Sequence, residues 1–448
     1  MADPYLLSAT EVLGLFEKNA LTVEHYARSL LGRINERDGI VKAWAYLDPE
    51  LVLEQARALD QIPYNKRGPL HGLAIGIKEI AHTKDMPTQF GSAIYTGHQS
   101  CYDSSAVAIL RDAGALIFGK TTTAEMTVAN PSPNTTNPHD STRTPGDSSC
   151  GSAAAVADFQ VPLSLGAQTG GSVIRPASYT GVFAMKPTYN AISLEGQKPL
   201  APTFDTLGFF ARSIDDLQLL ADVFAIRDDE APEDIPIQSV SVALMKTPMW
   251  TQAGSGTITA IEKAVTSLQN CGARVDEVPF PPELSDAQAL GRIQKVIMSS
   301  ESQRLFLREY RLDKAHLAPK ICAVVENTAN YTNKEATEAL DTYAGMRVII
   351  NELAKNYSVI LTPSAGFHMP AINIPAFIGA HGMPIGVSLV APRFRDQHLL
   401  RISKILGEAL IAGGGWRILL LSKHVRLLAR AIIHEDEGSS SDAELKAC

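Results

Sequence analysis

The stretch from Thr144 to Thr188 constrains the fold and the chemistry of this chain more than any other. It contains two loops of small residues, Pro145 to Ser152 and Gln168 to Ser172, with an apolar Ala/Val run between them. Glycine has no Cβ, so the backbone N–H groups of such loops can approach a ligand closely. A run of these N–H groups forms a cradle for an oxyanion. Two such loops, one on either side of a helix-like segment, can bring two hydroxyl groups together.

Composition excludes several classes of function. The chain has 448 residues, of which 45% are hydrophobic and 20% are charged, as expected of a globular protein with a large core. The net charge of -8 argues against a nucleic-acid ligand, because phosphate binding needs clustered Lys and Arg. The five cysteines are scattered and lack CxxC spacing, so we predict neither a zinc site nor a disulfide framework. We see no secretory signal and no run that could span a bilayer, and therefore expect a cytoplasmic enzyme.

Strand-like and helix-like segments alternate along the chain. Leu73 to Ile77 is a short apolar strand, residues 104 to 113 are helix-like, and Ala115 to Gly119 is again strand-like. Residues 285 to 356 are mostly helical and could cover the site as a cap. The alternation favours an α/β class over a helical bundle or an all-β fold. We predict an α/β/α sandwich around a mixed central sheet, with later strands at Val359–Pro363, Ala371–Pro375 and Pro384–Val390.

Lys78 follows the apolar strand directly, which leaves two interpretations open. A lysine at the end of a strand can extend its ammonium group into solvent, and that is the more common case for an isolated lysine. Alternatively the side chain is buried, where desolvation disfavours the ammonium form and lowers the pKa. A buried neutral lysine could serve as a base.

Taken together, these motifs resemble the amidase signature family of serine hydrolases. The resemblance rests on Gly-Asp-Ser-Ser-Cys-Gly-Ser from Gly146, Thr-Gly-Gly-Ser from Thr169 and Lys-Pro-Thr from Lys186, and on the strand that ends at Lys78. It extends from about residue 7 to about residue 410 and implies the fold of that family. Singly, each serine has an ordinary structural interpretation, as a turn former or a helix N-cap.

The resemblance implies a Ser–cis-Ser–Lys triad. Ser172 corresponds to the nucleophile, Ser148 to the bridging serine with a cis peptide bond, and Lys78 to the base. The lysine would remove the Ser172 proton through the Ser148 hydroxyl, which can both donate and accept. The N–H groups of Thr169, Gly170, Gly171 and Ser172 would stabilise the oxyanion, each good donor typically contributing about 3–4 kcal/mol. No metal or organic cofactor is implied.

Two departures from the family pattern lie beside the nucleophile. The family usually has an Asp where this chain has Gln168, and an Arg two residues after the nucleophile, whereas Arg175 here is three residues after it. Our hypothesis is that the two changes are linked, because losing the acid and moving the base avoids an unpaired buried charge. Asp147 and Cys150 replace family glycines, and we interpret Cys150 as a packing residue.

Two further segments differ from the family. Only Ser364 to Pro370 separates two strands between which relatives generally carry a longer stretch, in a region that usually lines the substrate pocket. The tail after Trp416 matches nothing in the family. We therefore predict an amidase signature domain over residues 1–416 and an atypical tail over residues 417–448. The tail is interpreted as a disordered terminus, with a membrane-surface or partner helix as the alternative.

Three functions are compatible with these motifs. We expect an amidase that hydrolyses a small-molecule carboxamide to a carboxylic acid plus ammonia or an amine. One alternative is the glutaminase subunit of a tRNA-dependent amidotransferase, which the Gln168 form and the Asp205–Phe210 run support poorly. The other is a catalytically impaired pseudoenzyme or binding scaffold. The sequence leaves the oligomeric state open, with a homodimer as one alternative.

Overall fold

One mixed β-sheet runs through the molecule, which is known from a computed structural model describing residues 3–128, 133–363 and 368–416. Within these residues the sheet has eleven strands in the order β1-β3-β2-β4-β6-β5-β10-β11-β9-β7-β8. The strands are β1 (Trp44–Tyr46), β2 (Ala74–Lys78), β3 (Leu116–Thr121), β4 (Leu163–Gln168), β5 (Phe183–Lys186), β6 (Thr206–Ala211), β7 (Ser241–Met245), β8 (Arg274–Val278), β9 (Val359–Thr362), β10 (Ala371–Ile378) and β11 (Pro384–Val390).

Thirteen α-helices surround this sheet in the same described ranges. They are α1 (Ala9–Glu17), α2 (Val23–Val41), α3 (Pro49–Asp60), α4 (Ser105–Asp112), α5 (Cys150–Ala157), α6 (Ile174–Thr180), α7 (Ile214–Val223), α8 (Ser255–Asn270), α9 (Ala287–Leu305), α10 (Leu307–Asp313), α11 (Pro319–Val325), α12 (Asn333–Ala354) and α13 (Asp396–Gly414). The predicted α/β class with a mixed central sheet is confirmed. Every helix in this part of the chain is too short or too polar to cross a bilayer.

The sheet combines parallel and antiparallel pairs. β2 lies parallel to β3 and β4, and β7 lies parallel to β8 and β9. The centre, from β4 through β6, β5, β10 and β11 to β9, is antiparallel. β10 and β11 were expected as separate strands and form a hairpin, in which β10 continues beyond Pro375 to Ile378 across a register shift.

Helix α5 brings the first small-residue loop to the middle of the sheet. All of its residues are buried, and most of them are Ala, Gly or Ser, whose small size lets the helix lie close to the strands. A Cβ on Gly151 would come within 2.4 Å of Ala43 O and Thr122 N. This close approach requires glycine and fixes where Ser148 and Ser149, at the N-terminal end of α5, enter the interior.

The region predicted as a helical cap consists of α9, α10, α11 and α12. α9 and α12 bury Val296, Ile297 and Tyr343 against Phe204 in a small core of their own. The tail from residue 417, the segment 364–367 and residues 129–132 lie outside the described residues. The expectations for the tail and the short segment therefore stay predictions.

Candidate active site

Lys78 lies at the end of β2 and is only 1% exposed. Its Nζ donates to Ser148 Oγ at 2.7 Å, to Ser149 Oγ at 2.9 Å and to the carbonyl oxygen of Ala167 at 3.3 Å. Burial lowers the pKa of Lys78 to about 7, although nearby Cys150, Asp205 and Asp147 oppose the shift. Of the two sequence interpretations, the side chain adopts the buried one.

The two serines that contact Lys78 precede α5. The peptide bond between Asp147 and Ser148 is cis. Ser149 Oγ donates to Ala167 O at 3.1 Å and accepts from Ala167 N at 3.3 Å, so it ties this loop to β4. The lysine is thus held by one hydroxyl that is tied to β4 and by another, that of Ser148, which has no second partner in the described residues.

The second loop, Thr169 to Ser172, connects β4 to α6. Ser172 is half-buried, and its Oγ makes no hydrogen bond with any described residue. The backbone N–H groups of Gly170, Gly171 and Ser172 likewise donate to no atom of the described chain. Three successive unpaired N–H groups beside a hydroxyl can stabilise a developing oxyanion.

Two side chains fix the ends of this loop. Gln168 Oε1 accepts from Val173 N at 2.9 Å and from Ile174 N at 3.0 Å, which satisfies the N-terminal end of α6. Thr169 Oγ1 donates to Asp205 at 2.5 Å. The other carboxylate oxygen of Asp205 accepts from two backbone N–H groups, so Asp205 acts as an anchor for the loop.

Arg175 joins the two loops. Its Nη2 donates to the carbonyl oxygen of Asp147 at 2.6 Å. The side chain is exposed and makes no hydrogen bond to Gln168 in the described residues. No salt bridge within the described residues involves Arg175. The neutral Gln168 therefore caps α6 without help from the arginine.

Cys150 is buried at the start of α5. Burial raises the pKa of its thiol, so the side chain stays protonated at neutral pH. Its Sγ lies 3.7 Å from the carbonyl oxygen of Ser148. These surroundings suit the packing role expected from the sequence.

Two cavities border the loop from Thr169 to Ser172. The larger, of about 360 Å³, includes Gly170, Gly171 and Arg175 in its wall. The smaller, of about 40 Å³, is lined by Thr127, Thr169 and Asp205 among others. Of these two cavities, the larger has the volume of a small-molecule site, whereas the smaller does not.

The structure brings together Lys78 and Ser148, and it places Ser172 on the neighbouring loop with Thr169, Gly170 and Gly171. Sequence reasoning missed the anchoring roles of Ser149 and Asp205. Ser149 stands beside a predicted site residue and could have been considered. Asp205 is 36 residues from Thr169, and no spacing rule connects them.

Residues 26–366 match the family described as Amidase. The chain belongs to this family. The resemblance stated from the motifs is thus confirmed.

The family members that resemble the chain include amidotransferase components. The A component of the glutamyl-tRNA(Gln) amidotransferase of Thermobifida fusca (strain YX) is 34% identical over 302 residues, 63% of this chain and 61% of that protein. The same component from Salinispora arenicola (strain CNS-205) is 28% identical over 483 residues, 91% of this chain and 98% of that protein. The match to the first relative therefore spans less than two thirds of its length.

A solved amidase structure superimposes with a TM-score of 0.82 at 25% identity, covering 90% of this chain and all of the amidase.

The 483-residue alignment to the Salinispora protein is longer than the whole 448-residue chain. That relative therefore carries residues that this chain lacks.

Proposed function

We propose that this chain hydrolyses a carboxamide through an acyl-enzyme on Ser172, with Ser148 as relay and Lys78 as base. The observation that carries the proposal is the 2.7 Å hydrogen bond between Lys78 Nζ and Ser148 Oγ in the protein interior. With a pKa of about 7, a sizeable fraction of Lys78 is neutral near pH 7 and can accept a proton.

In the first half-reaction, Ser172 Oγ attacks the amide carbonyl and its proton passes to Ser148, whose own proton passes to Lys78. No hydrogen bond joins the two serines in the described residues, so the Ser172 hydroxyl must rotate toward Ser148 in the reactive complex. The unpaired N–H groups of Gly170, Gly171 and Ser172 receive the oxyanion. The C–N bond then breaks as Lys78 returns its proton, through Ser148, to the leaving amine.

In the second half-reaction, water attacks the acyl-enzyme while the same relay takes its proton. The carboxylic acid leaves, and Ser172 recovers its hydroxyl proton. Every proton removed is returned, so the cycle requires only amide and water.

Two substrate classes fit this chemistry. One is a small carboxamide hydrolysed by the chain alone. The other is the side-chain amide of glutamine, hydrolysed by the chain as the glutaminase component of a tRNA-dependent amidotransferase. The similarity to amidotransferase components favours the second class. Glutamine-dependent ammonia release that requires a co-purifying partner would support it, whereas turnover of simple amides by the isolated chain would support the first.

The catalytic assignment is tested by labelling the purified chain with an uncharged fluorophosphonate, which reacts with activated serines. We expect the parent to be labelled, Ser172→Ala to be unlabelled, and Lys78→Ala to be labelled at least about 100-fold more slowly, within the range for removal of a general base.

Lys120→Met is the matched control for this test. Lys120 is as buried as Lys78, and burial lowers its pKa to about 7 as well, but its Nζ bonds to Ala81 O, Thr83 and Thr88 outside the site. This variant should keep its labelling. No labelling of a folded parent, established by circular dichroism and a cooperative melt, would refute the proposal and favour the pseudoenzyme interpretation.

A further inference from the structure

Helix α6 is the element that the two serines of the proposed relay have in common. Ser172 lies two residues before Ile174, the first residue of this helix. The loop that leads to Ser148 packs against the same helix, since a Cβ on Gly146 would lie 3.0 Å from Pro176 Cα. The distance between the two serine hydroxyls therefore depends on how firmly this loop and α6 are joined.

Asn137 joins this loop to the helix. The residue is only 1% exposed, and its Nδ2 donates to Tyr179 O in α6 at 2.8 Å and to Thr144 O at 3.3 Å. Its backbone N–H donates to Arg143 O at 2.9 Å. An amide nitrogen has two N–H donors, and here one serves α6 and the other serves the residue four positions before Ser148.

Trp416, which follows the last helix, also bonds to the C-terminal end of α6. Carbonyl groups at that end lack partners within the helix and need donors from elsewhere. Trp416 Nε1 donates to Gly181 O at 3.1 Å, and the buried ring lies edge-on to His139 with 5.0 Å between the ring centroids. Of Trp416 and Asn137, only Asn137 also bonds to the chain that leads to Ser148.

The proposed relay requires an accurate distance between the two serines. Ser148 Oγ accepts from Lys78 Nζ at 2.7 Å, whereas the Ser172 hydroxyl bonds to no described residue. Proton transfer between two hydroxyls requires hydrogen-bond contact, and a misplacement of about 1 Å can lower a rate by about 100-fold. A side chain that ties the Ser148 loop to the helix after Ser172 can supply this accuracy.

We propose that Asn137 is a positioning residue of the relay, which holds the Ser148 hydroxyl where it can exchange a proton with Ser172. This inference rests on the proposed function of Ser172 and Ser148. In the described residues Asn137 makes no hydrogen bond to either hydroxyl, so its effect on the reaction passes through Ser148. Loss of Asn137 should then matter only where Ser148 can act as the relay.

The test compares rates of fluorophosphonate labelling of Ser172 in the parent, Asn137→Leu, Ser148→Ala and the double variant. Leucine has nearly the shape of asparagine but donates no hydrogen bond from its side chain. Asn137→Leu should be labelled on the order of 100-fold more slowly than the parent. In the Ser148→Ala background the same substitution should change the rate by less than about threefold, because residues that act as a unit are not additive.

Trp416→Phe is the matched control. It keeps an aromatic ring but loses the bond to Gly181 O, so it removes one partner of α6 and leaves the Ser148 loop tied. Well below the melting temperatures of all variants, it should be labelled at the parental rate. If Asn137→Leu does not fold, Asn137→Ser takes its place, because serine is smaller and keeps one donor; a smaller loss with the same dependence on Ser148 is then expected.

The pH profile is a readout that a purely structural role would not move. Labelling of the parent should slow below pH 7 as Lys78 becomes protonated. With the relay broken, labelling of Asn137→Leu should depend little on pH between 5.5 and 7, as should that of Ser148→Ala. A lower rate that keeps the parental pH profile would overturn the inference.

The outcomes separate this inference from the proposed function. No labelling of the folded parent, or unchanged labelling of Ser148→Ala, would refute the relay itself and the role of Asn137 with it. Equal slowing by Asn137→Leu with and without the Ser148 hydroxyl would refute only the role of Asn137. The same holds if Trp416→Phe is labelled as slowly as Asn137→Leu, since any loosening of α6 would then have the same effect.

Discussion

Replacing Lys78 by Met should abolish activity and stabilise the fold at neutral pH. Burial lowers the pKa of Lys78 from 10.5 to about 7. Between these two pH values the unfolded chain holds a proton that the folded chain has released. Because the unfolded state then binds more protons, the free energy of unfolding rises with pH across this window. Below pH 7 the buried lysine lowers the free energy of unfolding by its full amount, and above about pH 10.5 this destabilisation vanishes.

The magnitude follows from the size of the shift. One pKa unit corresponds to about 1.4 kcal/mol, so the lysine costs the fold about 4–5 kcal/mol at pH 7. Methionine keeps an unbranched side chain of similar length but loses the three hydrogen bonds of Nζ, each contributing about 1 kcal/mol. Lys78→Met should therefore be about 1–2 kcal/mol more stable than the parent at pH 7.

The assay is reversible urea unfolding of parent and variant at pH 7.5, 8.5 and 9.5. The stability advantage of Lys78→Met should shrink by about 1.4 kcal/mol per pH unit and reverse in sign at the alkaline end. Taking the difference between the two proteins cancels the contributions of Lys120 and Lys186, whose pKa values burial also lowers. A difference in unfolding free energy between the two proteins that does not change with pH would refute the argument. So would a Lys78→Met variant that is less stable than the parent at all three pH values.

Three further outcomes are expected. The rate of fluorophosphonate labelling should fall about tenfold per pH unit below pH 7, because only neutral Lys78 accepts a proton; a flat profile between pH 5.5 and 7 would contradict this. Gln168→Asp should lower both the melting temperature and labelling, because the shorter side chain cannot hold Val173 N and Ile174 N equally well and places a buried charge without a cation; an unaffected variant would reject the linkage with Arg175. Gly181→Ala should cost about 2–4 kcal/mol, because φ is +71° and the new Cβ would lie 2.4 Å from Trp416 Cζ2. An unchanged melting temperature would show that this region adapts.

Elements that depend on neighbouring residues were predictable from the sequence. The spacing of Ser8 and Glu11 is that of a capping box, and α1 begins with one: Glu11 N donates to Ser8 Oγ and Ser8 N donates to Glu11 Oε2. The apolar run from Leu73 and the Ala-rich segment after Ser149 form the strand and the helix expected of them. In each case the signal lies within a few residues of the structure that it specifies.

Arrangements that depend on distant residues were not predictable. Nothing in the residues of β10 shows that it would lie between β5 and β11, because strand order is decided by which faces the whole chain can bury. Pro375 suggested the end of a strand, yet β10 continues past it because the register shift accommodates the missing N–H. The contact of Asp205 with Thr169 likewise exists only after folding.

The proposed triad residues could be named because the family motif fixes their order and spacing. The motif does not encode how Arg175 is used. The resemblance implies an Asp at the position of Gln168, where a carboxylate would attract a nearby guanidinium. Here the neutral amide oxygen of Gln168 already satisfies the N–H groups that begin α6. No buried acid of the loop then competes for Arg175.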